Sequence, residues 1–168
     1  MANKYGNNLD IHFVEGKDEI AKDGVLVIEE KQRNESKFPE YLPTWDPTQK
    51  YPPLKFFKYE DAGLKADPGF PNLFPKDKDF VVKRVTPKLG TEIEGVQLSS
   101  LDDAGKNELA LLVAQRGVVI FRNQDFAQKG PEFITEYGKH FGKLHIHPTS
   151  GAPRDYPELH ITYRREDP

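Results

Sequence analysis

Thr91-Glu-Ile-Glu-Gly-Val-Gln-Leu98 is the stretch on which the fold turns. Its residues alternate between apolar and polar, the pattern of a half-buried strand. Ahead of it, Phe80-Val-Val-Lys-Arg-Val85 reads as a second strand, with Pro87-Lys-Leu-Gly90 supplying the turn between them. Behind it, Ser100-Leu-Asp-Asp103 resembles a capping box, with Asp103 in place of Glu or Gln. It opens a helix running to about Arg116, with Leu109, Leu112 and Val113 on one face and Gly117 as a natural stop. Val118-Val-Ile-Phe121 follows, a short apolar run suited to a buried strand. Gly130 to Gly142 reads as a second helix, with Pro131 in its first turn and Ile134, Tyr137 and Phe141 on a shared face. Leu144-His-Ile-His147 and Glu158-Leu-His-Ile-Thr-Tyr163 look like further strands, joined by a loop over 148–153. Mixed strands and helices over 80–168 give an α+β domain.

The chain before this domain has a different character. Residues 1–37 are polar and charged, and only Gly24-Val-Leu-Val-Ile28 looks able to form a short strand. A flexible or loosely docked arm is expected there. Between residues 38 and 80 stand eight of the 14 prolines and ten of the 19 aromatics. That much proline forbids a regular helix or a central strand. A disordered linker, however, would be poor in aromatics. Residues 38–79 are therefore expected to lie extended across a folded surface with their rings buried against it.

Composition narrows the function. With no cysteine, a disulfide framework, a thiolate zinc site and a cysteine nucleophile are excluded. No run approaches the roughly 20 apolar residues of a membrane helix, and the first residues contain no apolar signal segment. Charge is nearly balanced, with 24 Lys+Arg against 27 Asp+Glu, so no general attraction to nucleic acid is expected. The expectation is a cytoplasmic chain with neither nucleic acid nor membrane as partner.

The histidines carry most of the available chemistry: His12, His140, His145, His147 and His160. On a strand, His145 and His147 would point to the same face, giving two adjacent imidazoles. Such a pair could ligate a metal or bind an anion. A metal needs a third ligand, and no His-x-Asp or His-x-Glu occurs in the chain. Structural or surface histidines are the commoner case. Arg122, after the apolar run, could hold a carboxylate ligand, although an ion pair within the protein is the ordinary role. Nucleotide-binding glycine loops and the G-x-S-x-G elbow do not occur.

Taken in order, Pro87-x-Leu-Gly-Thr-Glu-Ile-x-Gly-Val-x-Leu98, Arg116-Gly-Val-Val-Ile-Phe-Arg122 and Phe141-Gly-Lys-Leu-His-Ile-His-Pro148 resemble the start of the taurine dioxygenase (TauD/TfdA) family. Thr149-Ser-Gly-Ala-Pro153 and the proline-aromatic segment resemble its fungal sulfonate dioxygenase branch. The resemblance runs continuously over about residues 38–168. It implies a double-stranded β-helix, or jelly-roll, with flanking helices, of which this chain would hold the N-terminal part. It implies Fe(II) and 2-oxoglutarate as cofactors, with hydroxylation next to a sulfonate releasing sulfite and an aldehyde. In the family the iron is held by an His-x-Asp pair and a distant His, and an Arg pairs with 2-oxoglutarate. The pair lies downstream of the strand matching Glu158–Tyr163, so no metal ligand, cofactor ligand or catalytic residue is expected in these residues.

One residue carries over. The second His of the His-x-His-Pro motif contacts the sulfonate in the family, and here that is His147. A protonated imidazole can donate a charge-assisted hydrogen bond to an anionic oxygen. The taurine enzyme has an aromatic residue three positions later, where this chain has Ser150. That departure leaves other sulfonates open beside taurine.

Two further readings share the same residues. One is a non-catalytic binding or regulatory module of the same fold, with a small anion as partner. The other is a small metalloprotein using His145, His147 and His160. A homo-oligomer is compatible with each.

Overall fold

The hairpin expected around Pro87 to Gly90 forms in the computed structural model, which describes residues 16–53, 55–147 and 150–164. Its strands are β4 (Val81–Arg84) and β5 (Thr91–Glu94), paired antiparallel from Val81 opposite Glu94 to Arg84 opposite Thr91. Gly90 closes the turn with φ at 84°, in the left-handed region that favours glycine, and its carbonyl accepts from Val85 N at 3.0 Å. The described elements fall into two units.

One unit comprises residues 57–129 and 136–143. Its sheet has the order β4-β5-β6, with β6 (Val119–Phe121) parallel to β5. The helix α2 (Asp103–Arg116) makes the crossover between these parallel strands. The N-cap of α2 is Asp102, whose side chain accepts from Gly105 N at 2.8 Å. The cap thus sits two residues beyond the Ser100 expected for it, because Ser100 belongs to a preceding 3-10 turn and bonds back to Gln97 O. Gly117 ends α2 as expected, with φ at 70°.

Ile93 of β5 and Leu73 are fully buried, and Val96, Leu109 and Leu112 join them in one core. Burying each such side chain stabilises by about 1.5–3 kcal/mol. Val113 does not join them: it is 41% exposed, one position past the buried stripe. Nor is the 118–121 run fully buried. β6 pairs only with β5, so the sheet centre belongs to Ile93, while Val118 is 51% exposed.

Two polar side chains hold this unit together. Glu108, almost wholly buried, accepts from Asn72 N, Asn72 Nδ2 and Leu73 N at 2.9, 2.6 and 2.6 Å. Arg116, at the end of α2, donates to Thr91 Oγ1 and to the carbonyls of Thr86, Pro87 and Gly90, all within 3.0 Å. The rings of segment 57–79 divide between core and surface. Phe70 and Phe74 pack against the core, but Phe57 and Tyr59 stay exposed.

The other unit comprises residues up to 56, 130–135 and 144 onward. Its sheet has the order β1-β2-β3, from Glu19–Ile20, Leu26–Val27 and Thr44–Trp45. A short helix, α1 (Glu30–Glu35), follows β2. Residues 16–37, read from the sequence as part of a flexible arm, are therefore hydrogen-bonded structure. Arg33 donates to Ile28 O and to Glu19 Oε2, and Glu30 N donates to Glu19 Oε1. These bonds hold the Glu19 carboxyl below its usual range, the backbone N–H of Glu30 contributing most. β3 is the edge strand of this sheet, and Pro43 stands just before it.

The helix α3 (Gly130–Lys139) forms with Pro131 in its first turn. The strands expected over 144–147 and 158–163 do not form. An extended segment becomes a strand only when a neighbour completes its ladder, and among the described residues neither segment has one. The described residues are of mixed α and β structure.

Two outcomes follow. Glu108→Ala leaves the buried Leu73 N–H and two part-buried donors of Asn72 without their acceptor, so it should cost about 2–5 kcal/mol in denaturant unfolding, with Glu108→Gln losing less. Burial pushes the Tyr137 phenol up to about 12. The unfolded phenol ionises near 10, so its contribution to stability is intact below pH 10 and lost as pH rises toward 12. Unfolding midpoints measured from pH 9 to 11.5 should fall more steeply for the native chain than for Tyr137→Phe.

Candidate functional site

The loop carrying His147 and Ser150 is fixed by a two-residue bridge to β3. Thr44 N donates to Ala152 O at 2.7 Å, Ala152 N donates back to Thr44 O at 3.2 Å, and Thr44 Oγ1 adds a bond to Ala152 O at 3.0 Å. Gly151 makes this approach possible. A Cβ there would stand 2.8 Å from Pro43 Cβ and 3.2 Å from Thr44 O. Pro43 and Pro153, on either side of the bridge, are both fully buried. Beyond it the chain turns through Asp155, at φ 70°, with Tyr156 N donating to Pro153 O.

This arrangement leaves a cleft of about 430 Å³. His147, Ser150, Trp45, Tyr51, Asp23 and Arg154 are among its walls. Arg154 Nη1 donates to Asp23 Oδ2 at 2.5 Å. That bond holds the Asp23 carboxyl below, and the Arg154 guanidinium above, their ordinary values. The indole N–H of Trp45 is buried and has no acceptor among the described residues.

At one wall, Ser150 Oγ lies 3.0 Å from His147 Nδ1 and 2.9 Å from His160 Nε2. The rings of His147 and His160 stack with centroids 4.5 Å apart and planes 21° apart. His145 is less closely associated, its ring 6.5 Å from that of His147 and inclined at 74°. The histidine brought against His147 is thus His160 rather than its sequence neighbour. Without a strand at 144–147, the two-residue spacing no longer fixes a common face.

The remaining candidates lie elsewhere. His140 bonds to Asn107 Oδ1 at 2.9 Å and approaches Asp103 at 3.4 Å, a structural role in the other unit. Arg122 pairs with Glu92 at 3.1 Å, the ordinary role expected of it. His12 lies outside the described residues. Among the described residues, no group of three His, Cys, Asp or Glu side chains is placed to hold a metal ion. A metal centre built from His145, His147 and His160 is therefore not what these side chains form.

Comparison with known proteins agrees with the sequence motifs. Residues 82–168 match the taurine catabolism dioxygenase TauD, TfdA family. The chain belongs to that family. It is 60% identical over 165 residues to a Saccharomyces cerevisiae protein named alpha-ketoglutarate-dependent sulfonate dioxygenase, covering 97% of this chain and 40% of that protein. It is 43% identical over 143 residues to alpha-ketoglutarate-dependent dioxygenase cnsM of Penicillium expansum, covering 84% and 39% respectively. The chain thus spans about 40% of the length of these curated relatives. As a TauD/TfdA protein it has no helix, among the described residues, long and apolar enough to cross a membrane.

Sequence reasoning singled out His147 but not the side chains that assemble around it. Asp23 meets Arg154 across 131 positions, and Thr44 meets Ala152 across 108. No local spacing signals either pairing.

Gly151→Ala should push Pro43 and Thr44 away from the loop and open the bridge. Overpacking of this kind costs about 1–3 kcal/mol. The chain has one tryptophan, so a shift in Trp45 emission together with a lower unfolding midpoint would report the change.

Proposed function

We propose that the protein acts as an Fe(II)- and 2-oxoglutarate-dependent dioxygenase that hydroxylates a taurine-like or alkyl sulfonate, built on the jelly-roll of its family and working in the cytoplasm. The observation that carries the reading is His147, placed with Ser150 on the wall of a cleft and lying in the motif whose histidine contacts sulfonate in this family. The names of its relatives, a sulfonate dioxygenase at 60% identity among them, support the reaction class.

The described residues offer no donor set for the iron. Iron and 2-oxoglutarate supply the oxygen chemistry in this family, and the part assigned to these residues is placement of the substrate. A protonated His147 donates a charge-assisted hydrogen bond to a sulfonate oxygen. Trp45 and Tyr51 give the cleft apolar surface for an alkyl chain. Arg154, already neutralised by Asp23, adds little attraction for a second anionic group. A monoanionic sulfonate therefore suits the cleft better than a dianion.

Ethanesulfonate binding, followed by titration calorimetry, tests the assignment. A hydrogen bond to a charged group is worth about 1.5–3 kcal/mol, so His147→Ala should raise the Kd about 10- to 150-fold. Unchanged binding by His147→Ala would remove His147 from the site.

A further inference from the structure

We propose that Asp23-Gly24 is a modification site at which isoaspartate forms, and that Arg154 holds the reaction in check. An aspartate followed by glycine is the step most open to this change, because no side chain on the next residue shields its backbone nitrogen. Asp23-Gly24 is the one Asp-Gly step in the chain, and no Asn-Gly occurs.

The fold leaves the step accessible. Asp23 and Gly24 are both exposed, in the turn that joins β1 to β2. Gly24 has φ at 85°, and nothing stands within 4 Å of where its Cβ would be. Asp23, by contrast, is held at both oxygens. Its Oδ1 accepts from Val25 N at 3.2 Å, and its Oδ2 accepts from Arg154 Nη1 at 2.5 Å. Gly24 N donates to Ala21 O at 2.8 Å.

The covalent step needs no oxidant or co-reactant beyond water. Gly24 N attacks Asp23 Cγ in its carboxylic acid form. The amide proton and the carboxyl hydroxyl leave together as water, closing a five-membered succinimide. Water then opens the ring at either carbonyl. One opening restores aspartate; the other gives isoaspartate, in which the main chain runs through Cγ.

Two of the three bonds that oppose this belong to the turn itself, and bonds in an exposed turn open with its local fluctuations. The third is brought from far along the chain. Arg154 follows the buried Pro153 and the bridge from Ala152 to Thr44, so its guanidinium is presented by an anchored loop. It occupies one carboxyl oxygen, and it keeps the group ionised. The Asp23 carboxyl is held below its ordinary range, with Arg154 as the largest cause. Only the protonated acid gives up its hydroxyl as water, so an ionised Asp23 reacts slowly. Once isoaspartate forms, the main chain is one carbon longer and the free carboxylate sits on a branch one carbon shorter. The turn then ceases to offer Arg154 the same acceptor, and a guanidinium on the cleft wall loses its counter-charge.

The reaction leaves the mass unchanged, so it is read by enzymatic methylation of isoaspartate and by loss of Asp-N protease cleavage at residue 23. Incubated for weeks at neutral pH, the native chain should gain isoaspartate there. Arg154→Gln should gain it about 1.5- to 5-fold faster, the worth of an exposed ion pair. Arg154→Lys, which keeps the charge, should stay close to the native rate. Asp23→Glu, whose longer side chain closes no five-membered ring, should gain none at this position. Unchanged far-UV circular dichroism in Arg154→Gln separates the loss of the pair from general unfolding. If Arg154→Gln isomerises at the native rate, or Arg154→Lys as fast as Arg154→Gln, the ionic guard is overturned. If neither the native chain nor Arg154→Gln gains isoaspartate at residue 23, the site itself is overturned.

Discussion

Everything assigned to the cleft depends on three hydrogen bonds between Thr44 and Ala152. They join a two-residue edge strand to a loop more than a hundred positions away. Backbone pairing of this kind is worth little per bond, about 0.5–1.5 kcal/mol, but it fixes direction as well as distance. Buried prolines on both sides stiffen the joint. Pro43 and Pro153 hold φ near one value, so the chain enters and leaves the bridge at set angles. Gly151 supplies the remaining condition, since any side chain there would meet Pro43. Ser150 therefore stands one residue from a rigid point. Its hydroxyl can be held against two histidines without a strand or helix beneath it.

The other unit is organised by a different device, polar side chains that stand in for missing ladder partners. Glu108 satisfies the N–H groups of Asn72 and Leu73, backbone that no helix or strand accounts for. The carboxyl group converts a proline-rich crossing into something the core can accept, because buried donors without acceptors would oppose it. Arg116 does the same for the carbonyls of the β4–β5 turn. Both residues lie on α2, one facing inward and one at its last turn. The helix is thus amphipathic in an unusual sense: its buried face is part leucine and part carboxylate.

How much of this was legible follows from sequence distance. The alternation at Thr91 to Leu98, the glycine at position 117 and the proline at 131 are local signals, and each led to the right element. The N-cap slipped by two residues because Ser100 and Asp102 are both good caps, and only the 3-10 turn before α2 decides between them. The strands at 144–147 and 158–163 failed for another reason. Their apolar and β-branched residues satisfy the strand pattern, but a strand is a relation between two segments, and pattern describes only one. For the site, the motif pointed to His147 while nothing pointed to Asp23, Trp45 or Thr44. Those residues lie in stretches read from the sequence as an arm and a docked extension. What drew them in was hydrogen bonding to a loop that the sequence places at the other end of the chain.

The pairing of His147 with His160 shows how that loop alters the chemistry available to it. On a continuous strand, His145 and His147 would share a face and make a symmetric pair with equal access to a ligand. In the irregular segment the rings of 145 and 147 diverge, and a serine hydroxyl links His147 to a histidine thirteen positions on. A hydroxyl is an asymmetric bridge, because it has a single proton to give. His147 lies on the cleft wall, and Ser150 ties the Nδ1 edge of its ring to Nε2 of His160. Without the Ser150 hydroxyl the two rings would keep their stacking but lose the bridge between Nδ1 of one and Nε2 of the other.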